Sequence, residues 1–302
     1  MKKVITIILT ILVALAIGFG CYKFYDYEIN KEVEINDEKL FDKENYPKVD
    51  ASLAIHPLVN SIAANFMQVD ESELDYEYTT GRSSEVYHNV IDGNVDVIFA
   101  AEISEEDKQY AEEKGVELEI IPATSSAFVF IVNKENPVEE LTLEQIQDIY
   151  AGKITNWKEV GGDDEEIIAY QRPTGSGSQT AMLSLVMKDK TLKEPVVDEI
   201  EQEMGGLVKA VAEYENAKGA IGYSYFYYIN TMYNHENVKM IKVDGVMPSI
   251  NSIKNNEYPI YTNGFIVYRK NDVSENLQKW LDNLFSERGD RIIEEAGYVP
   301  CK

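Results

Sequence analysis

The sequence predicts an α/β fold for the region after residue 47, because short β-branched runs alternate with segments of helical periodicity. The predicted strands share apolar, β-branched composition and lie at residues 118–121, 127–132, 167–170, 239–243 and 264–269. The predicted helices share an amphipathic or capped pattern and lie at residues 57–67, 85–91, 105–114, 143–150, 179–187, 206–213 and 274–286. Several of these helices follow a turn rich in Ser or Gly, where backbone N–H groups are available to an anion.

Composition narrows the class of protein further. The 302 residues include 53 Asp and Glu against 28 Lys and Arg, a formal net charge of −25. A chain of this sign is a poor nucleic-acid binder, because such binding depends on Lys and Arg neutralising phosphates. Two Cys and three His are too few for a Cys-rich zinc site or a disulfide framework, so we expect no metal and no permanent cofactor.

Residues 1–21 are predicted to be a signal peptide or a membrane anchor. Lys2 and Lys3 precede an uncharged apolar run at residues 4–20, about 25 Å long as a helix and at the short limit for a bilayer. The basic start stays cytoplasmic, which places the rest of the chain outside the cell. Either Cys21, after Gly-Phe-Gly, is the acylated residue of a lipoprotein or the run remains as an uncleaved anchor. Residues 22–47, rich in acids and without a period, are predicted to be a solvated tether.

Residues 171–180 form the strongest of three candidate anion-binding turns. They read Gln-Arg-Pro-Thr-Gly-Ser-Gly-Ser-Gln-Thr between a predicted strand and a predicted helix. The glycines permit close backbone approach, the Ser hydroxyls donate hydrogen bonds, and Arg172 presents a fork of donors suited to a tetrahedral oxyanion. The spacing matches neither a P-loop nor a nucleophile elbow. Residues 79–84 and 50–52 form similar turns, each typical of a helix cap alone but notable together.

With these turns, the chain resembles the phosphate-type, PstS-like solute-binding proteins of ABC importers, a branch of the periplasmic binding protein superfamily. Residues 172–178 are similar to the R-x-x-G-S-G-T phosphate loop of that family, and residues 151–162 to its G-x-I-x-N-W-x-E-V-G-G segment. Residues 220–223 and 297–300 are weaker matches in the correct order. The resemblance implies a two-lobed, type II-like α/β fold whose strands cross at a hinge, with the anion between the lobes.

The resemblance also implies lobe boundaries. Lobe one would comprise residues 48–126 plus 255–302, and lobe two residues 127–254. The strands near the hinge would be those at residues 127–133 and 261–268.

Matching positions assign a set of phosphate-binding residues, namely Ser52, Ser83, Glu102, Arg172, Ser176, Gly177 and Ser178. Ser178 stands where the family usually has Thr, and Leu53 where Thr is frequent. Glu102 takes the place of the Asp that accepts the proton of bound hydrogen phosphate. A carboxylate there would remain unpaired against fully ionised sulfate and would therefore select phosphate. These departures leave another oxyanion or an organic phosphate open as the ligand.

The resulting hypothesis is an extracellular, membrane-tethered, monomeric solute-binding protein that captures inorganic phosphate for the permease and ATPase subunits of an ABC importer. One alternative is an anchored sensor that uses the same fold without transport. A hydrolase is disfavoured, because His56, His88 and His235 stand near no nucleophile motif.

Overall fold

The computed structural model describes residues 37–74, 82–195, 204–213 and 217–301. The residues from Lys39 onward form one compact unit. The predicted signal or anchor, Cys21 and most of the predicted tether lie outside the described residues. Within the described ranges, no helix combines the length and hydropathy that a membrane crossing requires.

The described chain is a mixed α/β structure, as predicted. The strands are β1 (Val49–Ala51), β2 (Val97–Ala100), β3 (Leu118–Asn133), β4 (Glu140–Leu141), β5 (Ile168–Ala169), β6 (Ala220–Tyr225), β7 (Val238–Met240), β8 (Lys242–Val243), β9 (Tyr261–Arg269) and β10 (Val299–Pro300). The α-helices are α1 (His56–Met67), α2 (Ser83–Ile91), α3 (Glu105–Lys114), α4 (Leu143–Tyr150), α5 (Gly177–Ala181), α6 (Met204–Glu213), α7 (Ile250–Lys254), α8 (Glu275–Leu284) and α9 (Glu287–Glu295).

Strand β3 organises the main sheet, whose order is β1-β2-β9-β3-β6-β5. Its first part, from Leu118 to Ala127, pairs antiparallel with β9, and its second part, from Phe128 to Val132, pairs antiparallel with β6. The 16-residue strand therefore changes partner in mid-course and runs through both halves of the sheet. This is the crossing-strand arrangement that the family resemblance implies; the exact lobe boundaries remain a prediction.

Hydrophobic residues form separate clusters on the two sides of this crossing. The larger cluster surrounds β6 and the second part of β3, and includes the mutually contacting rings of Phe128, Phe130, Tyr150 and Tyr223. The others contain α1, α8 and α9 on one face of the β1-β2-β9 region, and α2 with β2 on the other. Each core supports a different wall of the site described below.

The end of the predicted tether is corrected by the structure, because residues 39–47 pack on the folded unit. The Phe41 side chain is 2% exposed and contacts the ring of Phe66. The Leu40 N–H donates to the Phe66 carbonyl at 2.8 Å, and Trp280 Nε1 donates to Tyr46 Oη at 2.8 Å. Phe41 and Tyr46 stand in an acidic segment that shows neither a helical nor a strand period. The sequence pattern therefore did not reveal that these two aromatic residues are packed on the folded unit.

The element boundaries differ from prediction in a few places. The strands predicted at residues 118–121 and 127–132 are one continuous strand, β3. The helix predicted at residues 179–187 begins at Gly177 and continues from Met182 as a π-helix. The elements that the sequence pattern missed are β1, β2, β4, β6, β10, α7 and α9. Strands β1 and β2 are short and fully buried, so their apolar runs lack the alternation that marks a half-buried strand.

Candidate functional site

A cavity of about 70 Å³ lies beside the crossing strands, where β1, α2 and α5 meet β3 and β9. This volume accommodates several water-sized groups, and therefore a small polyatomic ion. The structure brings six of the seven predicted ligand residues to its wall, namely Ser52, Ser83, Arg172, Ser176, Gly177 and Ser178. Three segments distant in sequence thus converge on one space.

The loop before α5 forms one wall and meets α2 directly. Ser176 is the N-cap of α5, and its Oγ accepts a hydrogen bond from the Gln179 N–H at 3.2 Å. A Cβ placed on Gly177 would lie 2.5 Å from Ser83 Oγ and 2.9 Å from Ala101 Cβ. The glycine at this position therefore permits the close approach of the loop to the second turn.

Arg172 is held at the buried end of this loop. Its side chain is 7% exposed, and its Nε and Nη1 atoms are buried. Its backbone N–H donates to Tyr223 Oη at 2.9 Å and to Gln179 Oε1 at 3.2 Å. Tyr225 Oη donates to the Gly177 carbonyl at 2.8 Å. Strand β6 therefore fixes the backbone of the loop through two tyrosine hydroxyls.

The two tyrosines remain neutral hydrogen-bonding groups over the physiological range. Burial raises the pKa of Tyr223 and of Tyr225, because the phenolate would be poorly solvated. The nearby Glu102 carboxylate raises the pKa of Tyr225 further, while the Arg172 charge acts against both shifts. The loop is consequently anchored by O–H groups that do not ionise.

The first and second turns contact each other across the cavity. Ser52 Oγ and Ser83 Oγ lie 3.1 Å apart, and both residues are buried. The Ser52 N–H donates to the Phe99 carbonyl at 3.0 Å, which ties the first turn to the end of β2. Ser178 Oγ, from the third turn, is buried and makes no hydrogen bond with any described residue. A buried hydroxyl without a partner costs free energy, so this group favours a ligand that satisfies it.

Glu102, the seventh predicted residue, does not line the cavity. Its Oε2 accepts a hydrogen bond from Ser184 Oγ at 2.7 Å, in an exposed position. The preceding residue, Ala101, occupies the cavity wall instead. Both residues follow the end of β2 at Ala100. The Glu102 side chain thus makes its hydrogen bond outside the cavity lining, and the proton-accepting role remains a prediction.

Several lining residues were not predicted from the sequence. Arg82, the exposed N-cap residue of α2, stands at the cavity directly before Ser83. Thr124 and Ser126 on β3 share one strand face, and Asn263 comes from β9. The sequence signal that could have identified Thr124 and Ser126 is their i, i+2 spacing, which places both polar side chains on one face of a mostly apolar strand. The other unpredicted lining residues with polar side chains are Tyr225, Tyr227 and Tyr298.

The electrostatic character of the cavity is opposite to that of the whole chain. Among the described residues that line it, the charged ones are Arg82 and Arg172, and none is Asp or Glu. The remaining polar groups are hydroxyls and an amide, which can all donate hydrogen bonds. Such a wall suits a small oxyanion.

Comparisons with known proteins agree with this geometry. The family model described as a PBP superfamily domain matches residues 46–288. The chain is 28% identical over 256 residues to the phosphate-binding protein PstS of Bacillus subtilis (strain 168), covering 83% of this chain and 79% of the relative.

Solved structures are similar as well. A phosphate ABC transporter substrate-binding protein with bound phosphate from Clostridium perfringens superposes with a TM-score of 0.68 at 30% identity, covering 84% of this chain and 98% of that one. An ABC-type phosphate transport receptor from Vibrio cholerae, 22% identical, superposes with a TM-score of 0.62 over 83% of this chain and 98% of that one, which supports the fold. The chain therefore belongs to the PBP superfamily, and both its resemblance to the phosphate-type solute-binding proteins and its two-lobed α/β fold are confirmed.

Proposed function

We propose that this protein is an extracellular, membrane-tethered solute-binding protein that captures inorganic phosphate for an ABC importer. The observation that carries the proposal is the convergence of Ser52, Ser83 and the 172–178 loop on one small cavity. The 30% identical protein of Clostridium perfringens, whose structure contains bound phosphate, supports the choice of ligand.

The donor set matches the physical task of removing a small dianion from water. Each hydrogen bond that the ion loses on desolvation has to be replaced by a fixed donor. The Ser hydroxyls supply neutral donors, and buried Arg172 supplies a full positive charge close to the ion. The charge of −25 does not oppose this binding strongly, because surface charges are screened within ~8 Å at physiological salt.

Binding without catalysis is the chemistry we assign to the site. Neither His nor Cys is among the described residues that line the cavity. His56 Nε2 contacts the Ala51 carbonyl at 2.7 Å, and burial lowers the pKa of His56. His88 Nε2 lies 3.4 Å from Asp107 Oδ1, and His235 Nε2 lies 3.1 Å from Glu213 Oε1. None of these three partners is a Ser or Cys nucleophile.

The proposed tether is supported by the sequence, and the proposed transporter partners are supported by the relatives. The apolar run at residues 4–20 supports a membrane-attached N-terminus, through an uncleaved anchor or an acylated Cys21. The PstS relative and the Clostridium perfringens transporter protein support delivery to the permease and ATPase subunits of an importer. A monomer is the state that we propose for this delivery. A sensor that uses the same fold would bind the same anion without engaging such a permease.

Calorimetric titration of the full chain in detergent, dialysed free of anions, tests the proposal. We expect phosphate to bind with a stoichiometry of one. We expect Arg172→Ala to weaken binding roughly a hundredfold or more, because it removes the buried charge that faces the ion.

Lys270→Ala is the matched control, since it removes a cation that does not line the cavity. The Nζ of Lys270 lies on the surface, 3.8 Å from Glu119 Oε2. A folded protein that releases no heat with phosphate would exclude the assignment. Equal losses of affinity in both variants would show that net charge, rather than the site, controls binding.

A further inference from the structure

Ser84, the second residue of α2, contacts the 172–178 loop next to the cavity. Its N–H donates to the Gly175 carbonyl at 3.3 Å, and a Cβ placed on Gly175 would lie 3.5 Å from Ser84 Cβ. The preceding residue, Ser83, lines the cavity and lies close to Gly177. The start of α2 therefore meets the loop through two successive residues, of which Ser83 is at the cavity wall.

A buried carboxylate on α3, that of Asp107, holds the side chain of Ser84. Asp107 is 1% exposed, and its Oδ1 accepts a hydrogen bond from Ser84 Oγ at 2.6 Å. Its Oδ2 accepts from Ser104 Oγ, also at 2.6 Å, and His88 Nε2 lies 3.4 Å from Oδ1. This one carboxylate thus connects the start of α2 to the start of α3.

The capping of α3 explains only part of this arrangement. Ser104 is the N-cap of α3, and its Oγ accepts from the Asp107 N–H at 3.1 Å. Ser84 belongs to another helix, 23 positions earlier in the chain, so its hydrogen bond to Asp107 is a tertiary contact. Hydrogen bonds to an ionised acceptor are shorter and stronger than those between neutral groups, so this contact restricts where the start of α2 can lie.

We propose that Asp107 is a positioning residue for the anion site. Through Ser84 it fixes the start of α2 against the 172–178 loop, so that Ser83 and Gly177 keep their spacing at the cavity. The inference rests on the proposed function and adds to it a residue that acts on the ligand only through another side chain.

Calorimetric titration of the full chain in detergent with phosphate, paired with urea denaturation of the same samples, tests this role. We expect Ser84→Ala to weaken phosphate binding about fivefold, because the hydrogen bond that joins α2 to Asp107 is lost. Asp107→Ala removes the acceptor itself and should weaken binding about tenfold. Ser84→Ala carries the test alone if Asp107→Ala does not fold.

Ser104→Ala is the matched control. It also removes one 2.6 Å hydrogen bond to Asp107, but it leaves the hydrogen bond from Ser84 in place. Because it deletes the N-cap of α3 as well, its urea midpoint should fall at least as far as that of Ser84→Ala. Its phosphate affinity should stay within about twofold of the unmodified protein, which separates positioning of the site from general stability.

Asp107→Asn separates the hydrogen bond of this residue from its charge. The amide oxygen can accept from Ser84 Oγ, and the amide nitrogen can donate to Ser104 Oγ. We therefore expect this variant to restore phosphate affinity to within about threefold of the unmodified protein. Binding that becomes more than about tenfold tighter would show that the carboxylate repels the anion, and would overturn the positioning role.

Two further results would overturn the inference while leaving the proposed function intact. One is an unchanged phosphate affinity in Ser84→Ala. The other is an equal loss of affinity in Ser84→Ala and Ser104→Ala, which would assign the effect to general destabilisation. Failure of the folded, unmodified protein to bind phosphate would instead overturn the proposed function itself.

Discussion

At the scale of single residues, the residues of the candidate site differ in how far the sequence alone could reveal them. Arg172, Ser176 and Ser178 come from a short stretch whose composition alone indicated an anion site. Tyr225 could not be recognised in this way, because its role depends on the carbonyl that its hydroxyl meets. Tyr225 lies on β6, 48 positions after Gly177, and its Oη donates to the Gly177 carbonyl at the start of α5.

Tyr225→Phe should lower phosphate affinity about fivefold, the value of one ordinary hydrogen bond, because the Gly177 carbonyl loses its donor and the loop loosens. The aromatic ring and its contact with Phe128 remain. Calorimetric titration measures the change. Tyr46→Phe, which removes the hydroxyl that accepts from Trp280 Nε1 far from the cavity, should leave the affinity unchanged. A similar loss in both variants would assign the effect to general destabilisation.

At the scale of elements, the site depends on how closely the start of α5 approaches α2. The sequence predicted both helices and both preceding turns, since caps and Gly-rich turns are local signals. It did not predict that Gly177 packs against Ser83 and Ala101, because that contact joins segments separated by more than 70 residues. The same limitation applies to Glu102, whose carboxylate accepts a hydrogen bond from Ser184 Oγ, 82 positions later in the chain.

Gly177→Ala should weaken phosphate binding by about tenfold to a hundredfold, because the added methyl group would lie 2.5 Å from Ser83 Oγ and force the two turns apart. Isothermal titration with phosphate provides the measurement. Gly115→Ala is the control: its φ of +67° imposes about 1–2 kcal/mol of backbone strain, but no atom lies near the added carbon. Unchanged affinity in Gly177→Ala would mean that the approach of the turns does not shape the site.

At the scale of the whole molecule, a strongly acidic chain encloses a cavity whose charged lining is cationic. The two properties coexist because the acids are distributed over an exposed surface while the donors are concentrated in a small enclosed space. The folded unit also extends further toward the N-terminus than composition indicated. Residues 39–47 contribute aromatic side chains to the core around α1 and α8.

Phe41→Ala should lower the free energy of unfolding by about 3–5 kcal/mol, because it removes a buried aromatic ring from contact with Phe66 and Tyr46. Urea denaturation followed by tryptophan fluorescence measures the difference. Phe285→Ala, which truncates a ring that is 45% exposed, should cost markedly less. Equal stability of Phe41→Ala and the unmodified protein would show that residues 39–47 are a tether after all.

The sequence by itself determined the α/β class, the three candidate turns and the family, because these depend on local patterns of capping residues, glycines and apolar runs. Tertiary structure alone decided that six predicted residues meet in one cavity, that Arg82, Thr124, Ser126 and Asn263 join them, and that Glu102 does not. The physical reason is that β3 changes partner from β9 to β6 and thereby brings distant segments together. Which side chain faces the enclosed space follows from those long-range pairings, and no local pattern encodes them.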